Sequence, residues 1–160
     1  MTQCYVSVGS NIDKAKNIEA GLNSLRVTFG ELSVSPIYET AAVGFEGDDF
    51  YNLVVGFESN LSAHAVFQIL RDLEFKHGRS PNSQKFSPRH LDLDLLLYGD
   101  AIIEDEFLKL PRVDIEKYAF VLQPLADIAP DLIHPIHQKT YRKMLKLLFP
   151  KSPEPTTGML

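Results

Sequence analysis

The chain has 160 residues, a net charge of −5 and a single cysteine, Cys4, with a hydrophobic content ordinary for a folded protein. These set the expectation of one domain, over residues 1–150, that buries about 70% of its unfolded-chain surface, with a frayed tail over 151–160. They argue against an internal disulfide and against a general nucleic-acid surface, and no apolar run approaches the ~20 residues that span a bilayer. The first residues lack the basic and apolar regions of a secretory signal, so a cytoplasmic protein with no membrane partner is expected.

Residues 4–8 alternate and predict a first strand, closed by Gly9-Ser10-Asn11, where Ser10 or Asn11 is placed to cap the next helix. Ile18, Leu22, Leu25 and Phe29 recur at helical spacing over residues 12–29, and Gly30 suits a C-terminal cap. Residues 32–40 predict a second strand in which Pro36 marks an edge or a bulge. A loop over 41–49, with Gly44 and Gly47 as hinges, leads to a third strand over 50–58 that pairs with the second as a hairpin. A helix opens at Ser62, passes through Ala65, Phe67, Leu70, Leu73 and Glu74, and ends near His77-Gly78. A loop marked by Pro81-Asn82-Ser83 and Ser87-Pro88 precedes a strand that stops at Gly99-Asp100. Residues 101–104 predict a short strand, 115–125 a mostly helical stretch, and 140–149 a last amphipathic helix. The order β-α-β-β-α-β is that of the ferredoxin-like split unit, so the predicted class is α+β. It is a ferredoxin-like sandwich with an antiparallel sheet and additional C-terminal helices, an architecture that names no activity by itself.

The chemistry concentrates in Leu91-Asp-Leu-Asp-Leu95. Strict alternation is the period of a strand, so Asp92 and Asp94 share one face, about 7 Å apart at their α-carbons, while Leu91, Leu93 and Leu95 point into a core. Two carboxylates side by side on an apolar strand repel each other and are costly to half-bury. A divalent cation holds them together, and Mg²⁺ prefers such hard oxygen ligands with room left for phosphates. The bland alternative is a wet polar face. Against it stands the neighbourhood: residues 75–91 carry no Asp or Glu, but hold Lys76, Arg79, Lys85 and Arg89 with His77 and His90. Metal ions plus arginines bind a polyphosphate and neutralise charge during phosphoryl transfer. No Gly-x4-Gly-Lys run is present, which excludes a P-loop kinase. His64, His134 and His137 lack metal-ligand spacing and are expected to be surface or helix-end histidines. Lys139, Arg142, Lys143 and Lys146 are expected on the solvated face of the last helix.

Val8-Gly-Ser-Asn11, Tyr38-Glu-Thr40, Asn52, Gly78-Arg79, Pro88-Arg-His-Leu-Asp-Leu-Asp94 and Ala119-Phe-Val-Leu-Gln-Pro-Leu125 together resemble the 6-hydroxymethyl-7,8-dihydropterin pyrophosphokinases of folate biosynthesis. The resemblance covers almost the whole chain, and the Pro-Arg-x-Leu-Asp-Leu-Asp run is its most specific part. It implies transfer of the β,γ-pyrophosphoryl group of ATP to the pterin hydroxymethyl oxygen, leaving AMP, by a monomer. It implies that Asp92 and Asp94 hold two Mg²⁺ ions, consistent with two-metal displacement. Arg79 and Arg89 are implied on the triphosphate, with Leu95, Lys109 and Arg112 also on the nucleotide. For the pterin it implies stacking between Phe50 and Phe120, recognition of the ring amide by Asn52, and a pocket completed by Thr40, Ala41, Val43 and Phe86.

The chain departs from that pattern on the nucleotide side. Arg112 follows Pro111 where histidine is usual, Tyr118 stands at a common arginine, Ser80-Pro81 where a second arginine is frequent, Phe86 at a tryptophan and Ser87 at a glycine. A stiffer, less charged loop is expected to slow closure or weaken nucleotide binding. Two alternatives stay open: a divergent paralogue that binds a pterin or nucleotide without this catalysis or with another pterin alcohol, and a plain interaction domain.

Overall fold

A computed structural model describes residues 1–41, 49–78, 90–151 and 153–156 of the chain. Its centre is β1 (Thr2–Ser10), flanked by β4 (Phe50–Ser59) on one side and β5 (Asp92–Tyr98) on the other, both antiparallel to it. Beyond β4 lie β2 (Ser33–Val34) and β3 (Tyr38–Thr40), so the strand order is β2-β4-β1-β5 with β3 also on β4. The predicted second strand is therefore two short ones. Pro36, which has no N–H to give the ladder, stands in the break, and Ile37 bridges Thr156 near the other end of the chain.

One face of the sheet packs under α1 (Lys14–Phe29) and α2 (Ala63–Lys76). Cys4, Val6 and Val8 of β1, Leu53, Val55 and Phe57 of β4, and Leu93 and Leu95 of β5 meet Ile18, Leu22, Leu25, Val66, Leu70 and Leu73 there. Each such side chain is worth roughly 1.5–3 kcal/mol when fully buried, which is why these positions are apolar. α2 begins as expected, with the Ser62 hydroxyl accepting the Ala65 N–H at 3.2 Å. α1 does not. β1 continues through Ser10, paired with Tyr51, so the helix cap falls later, at Asp13, in left-handed backbone (φ 42°). The Ser10 hydroxyl donates instead to the Ile12 carbonyl. The C-terminal end is as expected: Gly30 takes φ 90° and its N–H returns to the Arg26 carbonyl.

The other face is covered over part of its length by α4 (Ala119–Ile128) and α5 (Tyr141–Leu148). Val54, Leu96 and Leu97 pack there against Val121, Leu122, Leu125, Tyr141 and Met144. Leu96 and Leu97 both reach this layer because the β1–β5 register slips: Val6 faces Leu95, but Tyr5 faces Leu97. Leu96 is the extra residue of a bulge. The helical stretch predicted over 115–125 is split into α3 (Asp114–Lys117) and α4 by Tyr118, whose backbone is extended. β6 (Ile103–Glu104) falls within the predicted short strand and finds an unpredicted partner in β7 (Lys109–Leu110). Asp105 shapes the turn between them by accepting the Phe107 and Leu108 N–H groups, each at 2.9 Å. Among the described residues, no helix is long and apolar enough to cross a membrane.

Candidate active site

α4 and α5 leave one end of the second sheet face uncovered, and three strands set its floor. Ser7 stands opposite Asp94, and Gly9 lies between Asp92 on one side and Asn52 on the other. Gly9 leaves the Asn52 carboxamide its room here. A Cβ would lie 3.2 Å from Asn52 Oδ1 and 3.9 Å from the Asp92 Cβ. Asn52 is buried and donates from Nδ2 to Thr40 Oγ1 at 2.9 Å, which fixes its carboxamide in the floor. Asp92 and Asp94 are half-buried while Leu91, Leu93 and Leu95 are buried, as the alternation requires.

The floor opens into a cavity of about 720 Å³. Thr40, Ala41, Phe50, Asn52 and Phe120 line it, as do Asp92, Asp94, Leu95, Lys109 and Arg112. The structure thus brings these ten expected residues around one space. Val43, Arg79, Phe86 and Arg89 lie outside the described residues, as do the loop residues 42–48 and 79–89 as a whole. The cavity also takes in residues with no predicted role: Ser7 and Gly9 in the floor, Phe67 and Arg71 from α2, Phe107 from the β6–β7 turn, and Asp114 from α3. Tyr118, which the sequence places on the nucleotide side at a common arginine, lines the cavity as well, its ring 4.9 Å from that of Phe120.

A third carboxylate stands behind the pair. Glu74 is fully buried on α2, and its Oε2 accepts the Leu93 N–H at 2.8 Å. One oxygen from each of Glu74, Asp92 and Asp94 falls within 4.8 Å of the others. Sequence reasoning assigned Glu74 only to a helix. Its signal was available: Ala63, Val66, Leu70, Leu73 and Glu74 form the buried stripe, and a glutamate within such a stripe needs a partner. Arg112 answers the pair from the other side. One of its terminal nitrogens is 3.7 Å from Asp94, its Nε is 3.2 Å from Asp114, and its backbone N–H reaches the Leu96 carbonyl at the bulge. Burial pulls the guanidinium toward losing its proton, but Asp94 and Asp114 outweigh this and leave its pKa raised.

The donor set suits a hard divalent cation. Three carboxylates converge, and all the oxygens are of the type that binds Mg²⁺. The charge count points the same way. Among the described residues lining the cavity, Asp92, Asp94, Asp105, Glu106 and Asp114 face only Arg71, Lys109 and Arg112. A polyanion enters such a space with added positive charge.

A second cluster, Glu116 with His134 and His137, has equally close ligand atoms but different chemistry. His134 is buried rather than on the surface, and its Nδ1 accepts the Ile136 and His137 N–H groups, each at 3.1 Å. That fixes the proton on Nε2, so neither ring nitrogen offers a metal a lone pair. Burial and the neighbouring His137 lower the His134 pKa, in keeping with a neutral ring that staples the 134–138 turn.

A family model described as 7,8-dihydro-6-hydroxymethylpterin-pyrophosphokinase (HPPK) matches residues 5–130. The chain is similar to proteins named 2-amino-4-hydroxy-6-hydroxymethyldihydropteridine pyrophosphokinase. It is 34% identical to that of Aquifex aeolicus over 95% of this chain and 93% of the relative. It is 37% identical to that of Methylorubrum extorquens over 96% and 98%. The folic acid synthesis protein fol1 of Schizosaccharomyces pombe is 36% identical over 89% of this chain, which spans only 20% of that protein. Among solved structures, an HPPK-DHPS protein in complex with substrates matches with a TM-score of 0.76 at 15% identity. That match covers 91% of this chain and 43% of the other, and is a likeness of fold.

Proposed function

The chain belongs to the 7,8-dihydro-6-hydroxymethylpterin-pyrophosphokinase family, and from that premise we propose how its own residues divide the work. The protein transfers the pyrophosphoryl group of ATP to the hydroxymethyl group of 6-hydroxymethyl-7,8-dihydropterin in folate synthesis. The pterin oxygen forms a bond to the β-phosphorus, the bond between that phosphorus and the α,β-bridging oxygen breaks, and AMP leaves. The hydroxyl proton passes to solvent, so no dedicated protein base is needed.

The observation that supports the division of roles is one cavity lined at once by the carboxylate pair, by aromatic and amide side chains and by basic ones. Thr40, Ala41, Phe50, Asn52 and Phe120 lie among its residues, and so do Lys109 and Arg112. Phe50 and Phe120 stack on the pterin, and Asn52 reads its amide edge, since a carboxamide both donates and accepts. The Asn52–Thr40 bond supports this by holding that carboxamide in one orientation. Leu95 and Lys109 contact the nucleotide, and Arg112 meets a phosphate; Val43, Phe86, Arg79 and Arg89 keep the roles given by resemblance. Asp92 and Asp94 hold two Mg²⁺ ions, with Glu74 close behind. When bound, these ions neutralise phosphate charge and make the hydroxyl more acidic. The protein's own part is to orient both substrates over one floor and to keep the reacting groups in line. The order β5-β1-β4-β2 supports reading the sheet as the ferredoxin-like split unit.

The test mixes protein, 6-hydroxymethyl-7,8-dihydropterin, ATP and Mg²⁺ and separates AMP from ADP. AMP in step with pyrophosphorylated pterin, lost in Asp92→Ala and Asp94→Ala, is expected. ADP in its place overturns the mechanism. Pterin binding that ATP strengthens, with no turnover, identifies a non-catalytic paralogue.

A further inference from the structure

We propose that Asp114 is a positioning residue for the nucleotide, holding the Arg112 fork at the edge of the carboxylate floor so that one end of it meets the triphosphate. The inference rests on the reading of Arg112 as a phosphate contact. Three constraints converge on this one residue. Its backbone N–H is tied to the Leu96 carbonyl at 3.0 Å, its Nε faces Asp114 Oδ2 at 3.2 Å, and a terminal nitrogen faces Asp94 Oδ1 at 3.7 Å. A guanidinium is planar, so an ion pair with Asp114 at its Nε side, together with the backbone tie to Leu96, limits the directions open to the remaining donors. Asp94 is the looser of the two partners by distance and belongs to the pair assigned to the cations. When cations take up Asp94, Asp114 keeps Arg112 in the site instead of releasing it to solvent.

Simple electrostatics makes the opposite prediction, which is what renders the idea testable. Asp114 lines a cavity with more acidic than basic side chains. If it acted only through its charge, neutralising it would tighten ATP binding. If it acts by aiming Arg112, neutralising it weakens binding despite the removed repulsion. The sign decides.

The experiment measures the dissociation constant of ATP with Mg²⁺ by calorimetry on the full chain, for wild type, Asp114→Asn, Arg112→Ala and the double variant. Pterin binding by fluorescence serves as the check of folding. Asp114→Asn is expected to weaken ATP about tenfold, through loss of the ion pair that holds Arg112 at the site. In the Arg112→Ala background the same change is expected to alter affinity by less than about twofold, since the group it aims is gone. Unchanged or tighter ATP binding in Asp114→Asn overturns the proposal, as does an equal loss in both backgrounds. Should Asp114→Asn not fold, Arg112→Lys keeps the charge without the fork. Weakened ATP binding there supports the proposal, and wild-type affinity overturns it. AMP formation by wild type is scored separately. Its absence sinks the parent reading while the binding cycle still tests Asp114, and no ATP binding by wild type sinks both.

Discussion

The sharpest structural prediction concerns Gly9→Ala. The added methyl would sit 3.2 Å from Asn52 Oδ1, closer than the 3.4–4 Å of ordinary contact, so the carboxamide must give by a few tenths of an ångström. It has little room, being buried and bonded to Thr40 at 2.9 Å. Weakening that bond costs about 1 kcal/mol. Against this, alanine loses less backbone freedom on folding than glycine, a gain of about 0.5–1 kcal/mol in a strand. The two nearly cancel, so thermal unfolding should move by only a few degrees. Binding does not share the gain. A displaced Asn52 loses alignment with the pterin amide, and KM for the pterin should rise about tenfold, equivalent to about 1.4 kcal/mol. Asp92 is 3.9 Å from the new methyl, an ordinary contact, so KM for ATP should stay within about twofold. Steady-state kinetics with each substrate varied in turn, beside a melting curve, reads both. An unchanged pterin KM, or equal shifts for both substrates, refutes the role given to Asn52.

Three further perturbations test the frame around the site. Glu74→Ala strips the Leu93 N–H of its buried acceptor and should destabilise the protein by about 3 kcal/mol in urea unfolding. Glu74→Gln, which keeps an acceptor, should recover most of that loss yet raise the Mg²⁺ needed for half-maximal activity several-fold; a glutamine variant as unstable as alanine counts against this split. His134 has a lowered pKa in the folded state, from burial first and His137 second. The unfolded chain therefore takes up the proton first: stability is intact above about pH 6.5 and falls as pH drops below it, by up to ~1.4 kcal/mol per pH unit. Urea midpoints between pH 7.5 and 5 should show this slope, flattened in His134→Asn, with His77, also lowered by burial and by Lys76, supplying a remainder. Tyr38→Phe removes the hydroxyl that donates to Asp127 and ties β3 to α4, and should cost about 1 kcal/mol by thermal denaturation.

What the sequence disclosed was whatever is written in local period. Two-residue alternation located β1 and β5 and put Asp92 and Asp94 on one face; 3.6-residue spacing located α1. Pro36 marked an irregularity in the second strand because a missing N–H is a local fact, although the strand it interrupts is in fact two, β2 and β3. Failures occurred where the decision was tertiary. Residues 115–125 have helical spacing throughout, yet Tyr118 is extended between α3 and α4. Ser10 has the chemistry of a cap, but the pairing of β1 with β4 holds it in the sheet. The Asp114–Arg112 pair has no periodic signature, since two residues apart they meet only because the chain turns into α3 beside β5. Glu74 was the one missed partner with a readable clue.

The contacts of Glu74 and Arg112 share a cause in the position of β5. Among the described residues it is the edge of the sheet path, and an edge strand presents backbone groups that need partners. Here the partners come from side chains and turns: Glu74 takes the Leu93 N–H, and the Arg112 N–H takes the Leu96 carbonyl. Each closes off a part of the edge, and each thereby brings a charged group to the carboxylate pair, Glu74 from the helical layer and Arg112 from the opposite side. The bulge at Leu96 makes the second possible. Up to Leu95 the strand alternates between core and floor; after the slip, Leu96 and Leu97 both serve the α4–α5 core. The same residue that ends the polar half of β5 thus offers the carbonyl that anchors Arg112. Protecting the edge and assembling the site are one construction, so a change that weakens the edge at Glu74 or Leu96 should be felt in metal and nucleotide binding before it is felt in the pterin end of the cavity.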